Sequence, residues 1–140
     1  MFLIINGPNL NLLGKREPEI YGKESFDSFL DKLRFEYPAE EIDYFQSNYE
    51  GAIVDTLHDY GFMPDCRGII LNPGAYTHYS IAIADAISSI QVPVIEVHIS
   101  NIHAREDYRR RSVTAEKAKG LIAGFGLDGY RLALNHLLHS

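Results

Sequence analysis

Short apolar runs alternate with helically spaced apolar repeats along almost the whole chain. Phe2, Leu3, Ile4 and Ile5 form a continuous run, the pattern of a strand covered on both faces as in a parallel sheet. Asn6, Gly7, Pro8 and Asn9 break it and open a polar, glycine-rich loop that runs to Gly22. Ser25 predicts a helix cap, and Phe26, Phe29, Leu30, Leu33 and Tyr37 recur at helical spacing until Pro38 stops them. Ile42 to Phe45 reads as a second strand with Gln46, Ser47 and Asn48 as its polar exit. Ile53, Val54 and Leu57 then mark a helix over Glu50 to Tyr60, ended by Gly61. Gly68 to Asn72 is a third strand. A turn at Pro73 and Gly74 leads to a helix opening at Thr77 or His78 and running through Ile90. Its composition is nearly all apolar or small, which predicts cover on more than one side. Val92 to His98 makes a fourth strand, Gly120 to Phe125 a fifth, and Asp128 to Leu138 the last helix.

Strands and helices alternating at this pace imply an α/β fold with right-handed crossovers, a three-layer sandwich around a five-stranded parallel sheet. Five such units predict the flavodoxin-like order 2-1-3-4-5, with a ligand crevice above strands 1 and 3, where the winding reverses. Asn6 and Asn9 after strand 1, Asn72 ending strand 3 and His98 ending strand 4 are then expected at one edge of the sheet.

At 140 residues the chain is expected to form one domain spanning 1–140. An apolar fraction of 46% and a charged fraction of 23% are those of an ordinary globular protein, without signs of disorder or repeats. No apolar run is long enough to cross a bilayer, and the first residues read as a strand and not as a targeting segment, so the expected compartment is the cytoplasm. Cys66 is alone, which excludes a disulfide within the chain and a thiolate metal cluster. A net charge of -6 argues against general nucleic-acid binding, whose footprint is basic. HExxH, Walker and GxGxxG patterns are missing, so no metal, nucleoside triphosphate or dinucleotide is expected.

The candidate chemistry lies at the strand ends. Glu96 and His98 are two apart on a strand and share a face; a carboxylate in an apolar strand needs a partner, and His98 is one candidate. A catalytic imidazole oriented by a carboxylate and a structural pair both fit that pattern. Tyr21, in the loop bounded by Gly14 and Gly22, is either an exposed ring closing the loop or a phenolate base supported by Arg16. The second reading needs a pKa lowered by about two to three units, the order of effect of one nearby guanidinium. Asn72, Gly74 and His78 lie where a ligand can approach the backbone, and Ile99 and Ser100 add amides and a hydroxyl beside His98. In the run Arg105, Arg109, Arg110 and Arg111, a solvated face is the simplest account, and only an arginine turned back to the crevice bears on function. His136 and His139 suit the dipole of the last helix more than a metal.

Four ordered blocks, INGPNLNLLGKREPEIYG, QSNYEGAIVDTLH, ILNPGAYTHYSIAIADAI and VIEVHISNIHAREDYRRRS, closely resemble the type II 3-dehydroquinate dehydratases over essentially the whole length. The resemblance implies a flavodoxin-like fold, no metal or cofactor, and a homododecamer built as a tetramer of trimers. It further implies trans dehydration of 3-dehydroquinate to 3-dehydroshikimate through an enolate, in the shikimate or quinate pathway. By resemblance Tyr21 is the base, Arg16 supports its phenolate, Asn9 with a water holds the enolate oxygen, and His98, oriented by Glu96, protonates the leaving hydroxyl. Asn72, His78, Ile99, Ser100 and Arg109 are implied at substrate-holding positions, and Asp85 at one reaching a neighbouring subunit's site. Ala84 stands where a basic residue is frequent, Tyr79 where Thr is common, and Arg111 where His is often found. These departures bear on subunit contacts and the pocket rim.

Overall fold

The protein is described by a computed structural model over residues 1–15, 19 and 23–140. Five strands, β1 (Phe2–Asn6), β2 (Ile42–Gln46), β3 (Gly68–Asn72), β4 (Val94–His98) and β5 (Gly120–Ala123), form one sheet in the order β2-β1-β3-β4-β5. Every pairing is parallel, and the expected 2-1-3-4-5 order is the one observed. Among the described residues the α-helices are α1 (Phe26–Glu36), α2 (Glu50–Tyr60), α3 (Ile81–Ser89) and α4 (Asp128–Leu138).

The two-residue period of the strands divides the core. Phe2 and Ile4, Ile70, and Ile95 and Val97 pack with Phe29 and Leu33 of α1 and Tyr130, Ala133 and Leu134 of α4. Leu3 and Ile5, Ile69 and Leu71, and Val94 pack with Ile53 and Leu57 of α2 and Ile83 and Ile87 of α3. This places Asn6 and Asn72 on the α1/α4 face and Glu96 and His98 on the α2/α3 face, all near the carboxyl edge.

Three boundaries differ from the sequence reading by two residues or more. Helix α3 begins at Ile81, because Thr77 and His78 belong to a 3-10 turn over Gly74–His78 and the cap is Ser80, whose Oγ accepts the Ile83 N–H at 3.0 Å. Strand β4 begins at Val94: Pro93 has no N–H, and that of Val92 bonds the Gly61 carbonyl at 3.0 Å. Strand β5 ends at Ala123, since Gly124 turns the chain at φ +93°. Cys66 is buried and its Sγ lies 3.6 Å from the Gly68 carbonyl, a packing role. Among the described residues no helix is long and apolar enough to cross a membrane.

Candidate active site

The loops after β1 and β3 are built against each other. Gly7 N–H donates to the Asn72 carbonyl at 2.8 Å, and a Cβ on Gly7 would lie 2.6 Å from the Pro73 carbonyl oxygen, so only glycine fits. The exit of β2 ties down the same loop: Gln46 Nε2 donates to the Gly7 carbonyl at 3.2 Å, and the Asn9 N–H donates to Asn48 Oδ1 at 3.1 Å. Asn9 takes a left-handed backbone, φ 69°, which asparagine tolerates better than most residues.

These loops and the segment after β4 line a cleft that opens to solvent. The β1 loop supplies Asn9, the β3 end supplies Asn72, Gly74 and His78, and the β4 end supplies His98, Ile99, Ser100 and Arg109. The structure thus brings together eight of the candidate residues. Asn6, grouped with them on sequence grounds, instead lies beneath: its Oδ1 accepts the Tyr130 hydroxyl at 2.6 Å, and its Nδ2 donates to the Tyr44 hydroxyl at 3.3 Å. Arg16 and Tyr21 lie outside the described residues. Asp85 is exposed on α3 and does not line this chain's cleft.

At the cleft floor His98 Nε2 is 2.7 Å from Glu96 Oε2. With Nε2 donating to the carboxylate, Nδ1 is the ring nitrogen left for the cleft. Burial opposes ionisation of Glu96, but the bond and charge of His98, together with the hydroxyls of Thr114 and Thr77, outweigh it and hold the carboxyl below its usual range. His78 is the second imidazole. Its Nδ1 donates to the Arg111 carbonyl at 2.7 Å, leaving Nε2 as an acceptor, and burial with the nearby charges of His98, Arg109 and Arg105 moves it below the ordinary histidine value. Position 111 therefore serves the site through its backbone, and the arginine side chain there remains largely exposed. Tyr79 is likewise exposed and touches Tyr76 ring to ring, whereas Ala84 is buried.

Asn72 is oriented from both ends: its Oδ1 accepts the Gly74 N–H at 3.1 Å, and its Nδ2 donates to the Tyr130 hydroxyl at 2.9 Å. Ile99 is fixed by its carbonyl, which accepts from the Gly126 N–H at 2.9 Å. Arg105 also lines the cleft, whereas sequence reasoning named it only within a basic run. No spacing rule separates it from its neighbours, because the segment folds as short 3-10 turns; Arg110 and Arg111 point outward. Among the described lining residues there are two arginines and no carboxylate, which favours an anion although the chain carries net negative charge; Glu106, outside the lining, has its Oε2 3.4 Å from Arg109 Nε and 4.0 Å from Arg105 Nε. The described residues contain no cluster of three metal-ligating side chains.

The family described as Dehydroquinase class II matches residues 1–138. The 3-dehydroquinate dehydratase of Clostridium botulinum (strain Hall) is 51% identical over 140 residues, covering 99% of this chain and 94% of the relative. Among solved structures, the type II dehydroquinase from Propionibacterium acnes superposes with a TM-score of 0.92 at 42% identity, covering 99% of this chain and 96% of that one. The type II dehydroquinase from Butyrivibrio crossotus gives 0.90 at 44%, covering 98% and 96%.

Proposed function

Because the chain belongs to the class II dehydroquinase family, we propose that it is a 3-dehydroquinate dehydratase, a hydro-lyase that eliminates water to give 3-dehydroshikimate. The observation that carries this reading is His98, paired with an ionised buried Glu96, at the floor of a cleft walled by Arg105 and Arg109. A carboxylate-bearing substrate suits that charge, and an imidazole with one nitrogen held and the other facing the cleft suits protonation of a leaving hydroxyl.

Tyr21, as phenolate beside Arg16, takes the proton from carbon 2, and the electron pair moves to the ketone oxygen. Asn9 and a bound water hold that enolate oxygen. Collapse of the enolate breaks the carbon 1–oxygen bond as His98 Nδ1 gives its proton to the departing hydroxyl. The leaving groups are trans, and proton exchange between Tyr21, His98 and solvent resets the site. Asn72, Gly74, His78, Ile99, Ser100 and Arg109 hold the substrate. No metal or cofactor takes part in this scheme. A Schiff-base route is disfavoured because no lysine lines the cleft among the described residues.

We further assign residues 1–140 to one catalytic domain that works in the cytoplasm, in the shikimate or quinate pathway, within a homododecamer built as a tetramer of trimers. Asp85, on the exposed side of α3 with Ile81 and Ala82, serves the site of the neighbouring subunit. Neither nucleic acid nor membrane is a partner. The direct test is incubation with 3-dehydroquinate while following ultraviolet absorbance of the conjugated enone. Turnover that survives borohydride, with no mass added to any lysine, is the expected result; no enone from a folded preparation refutes the assignment.

A further inference from the structure

Behind the cleft, three hydroxyls converge on one carboxylate without lining the cleft themselves. Glu96 is fully buried, and an isolated carboxylate in such a place would take up a proton. Its Oε2 accepts from His98 Nε2 at 2.7 Å, Thr77 Oγ1 at 2.7 Å and Ser112 Oγ at 2.8 Å, and its Oε1 accepts from Thr114 Oγ1. Thr77 and Thr114 are themselves fully buried, and their hydroxyl oxygens are 2.8 Å apart.

The backbone fixes this cluster. The Val113 N–H donates to the Thr77 carbonyl at 2.8 Å, clipping the segment after the arginine run to the turn after β3. Ser112 and Thr114 flank that clip and both reach Glu96. Ser112 Oγ also accepts the Ala115 N–H at 2.9 Å, which orients its own proton. None of the three side chains meets the cleft.

Glu96 and His98 can hold a proton between them at two places. On the imidazole it makes a cation able to give up its cleft-side proton; on the carboxyl it leaves a neutral ring that is a far weaker acid. Every hydroxyl donated to Glu96 favours the first arrangement, and together they forbid rotation of the carboxylate. We propose that Thr77, Ser112 and Thr114 are positioning residues for the elimination, holding Glu96 charged and fixed so that the shared proton stays on His98. This rests on the reading of His98 as the proton donor.

Thr→Val deletes the hydroxyl and keeps the shape, whereas Thr→Ser keeps the hydroxyl and deletes a methyl. Thr77→Val and Thr114→Val should each lower kcat about ten- to hundredfold, the effect of one hydrogen bond to a charged group, with KM for 3-dehydroquinate within about twofold. Thr77→Ser and Thr114→Ser should restore most of kcat. In substrate-free protein, NMR of the His98 ring should show Nε2–H bonded to the carboxylate in the wild type and that bond weakened, seen as a shifted Nε2–H resonance, in the valine variants. If a valine variant does not fold, Ser112→Ala, at the half-buried edge of the cluster, carries the same test. Valine variants with wild-type kcat, serine variants as damaged as valine ones, or an unchanged His98 spectrum would overturn the proposal. Wild-type protein that forms no enone would instead refute the dehydratase reading, while the ring spectrum still reports on the cluster.

Discussion

Asn72 at the end of β3 donates its side-chain amide to the hydroxyl of Tyr130, which itself donates to Asn6 at the end of β1. A helix on one face of the sheet thereby reaches through the core to set a residue lining the cleft. Burial pushes the Tyr130 phenol well above its usual range, so it stays a hydroxyl able to accept and donate at once. Tyr130→Phe leaves Asn72 Nδ2 and Asn6 Oδ1 without their buried partner, and should cost about 1–3 kcal/mol in urea unfolding. With Asn72 loosened, KM for 3-dehydroquinate should rise more than kcat falls. Unchanged stability and KM would show that the two asparagines find other partners.

Glu96→Gln keeps the shape but replaces one acceptor oxygen with a donor that faces hydroxyls and the His98 N–H. The expected loss in kcat is about 10²- to 10³-fold. The wild-type carboxyl titrates below its unfolded value, so its contribution to stability is fully present above the ordinary glutamate range. It is lost as pH falls through the lower, folded value. Unfolding curves from neutral pH down to about pH 3 should therefore show the wild-type advantage over Glu96→Gln shrinking on acidification. An advantage that grows toward low pH would contradict the charged state.

His78 carries the same sign through different chemistry. Its folded value lies below that of free histidine, so at neutral pH it is an uncharged ring bonded through Nδ1 to the Arg111 carbonyl. Its stabilising contribution is present above the ordinary imidazole range and is lost as pH falls through the depressed value. KM should rise over that same window, since protonated Nε2 no longer accepts a substrate hydroxyl. His78→Ala should raise KM about tenfold and flatten this dependence; an equally steep pH profile in the variant would assign it to another group.

Much of this was legible in the chain because apolar periodicity, caps and breakers agree with one another. The run at Phe2 to Ile5, the spacing from Phe26 to Leu33 and the Gly61 stop all fall in the elements they predict. The same-face argument for Glu96 and His98 held because a strand has only two faces. What stayed hidden depends on distant pairing. Thr77 reads as a helix opener, yet its hydroxyl bonds Glu96 and the cap passes to Ser80. Asn6 reads as a crevice residue, but a tyrosine more than a hundred positions away holds it inside. Arg105 and Arg110 look alike in sequence, and only the 3-10 turns over Ile102–Ala104 and Asp107–Arg109 decide which one meets the cleft.

Tyr21 and His98 are assigned opposite proton transfers, which makes them separable. Tyr21→Phe removes only the ionisable oxygen and should abolish nearly all turnover with KM or inhibitor affinity little changed. His98→Ala should block loss of the hydroxyl while exchange of the carbon 2 proton with deuterated solvent persists. Both steps can be read in one sample by NMR of the substrate. Equal loss of exchange and dehydration in His98→Ala would argue against distinct acid and base.

Asp85 is exposed on α3 beside Ala82 and Ile81, the latter 69% exposed, on a helix whose other face is packed in the core. An apolar surface around a lone carboxylate suits a subunit contact better than open solvent. If Asp85 serves the neighbouring cleft, Asp85→Ala and His98→Ala should each be impaired as pure oligomers, for different reasons. The first has a sound His98 and no donated carboxylate; the second donates the carboxylate but has no acid. Subunits of the two kinds, unfolded and refolded together, should then form some clefts with His98 from one and Asp85 from the other, and activity should exceed the sum of the parents. Mixtures left unexchanged provide the baseline. Recovery no greater than that baseline in oligomers shown by native mass spectrometry to contain both kinds of subunit would confine Asp85 to its own chain.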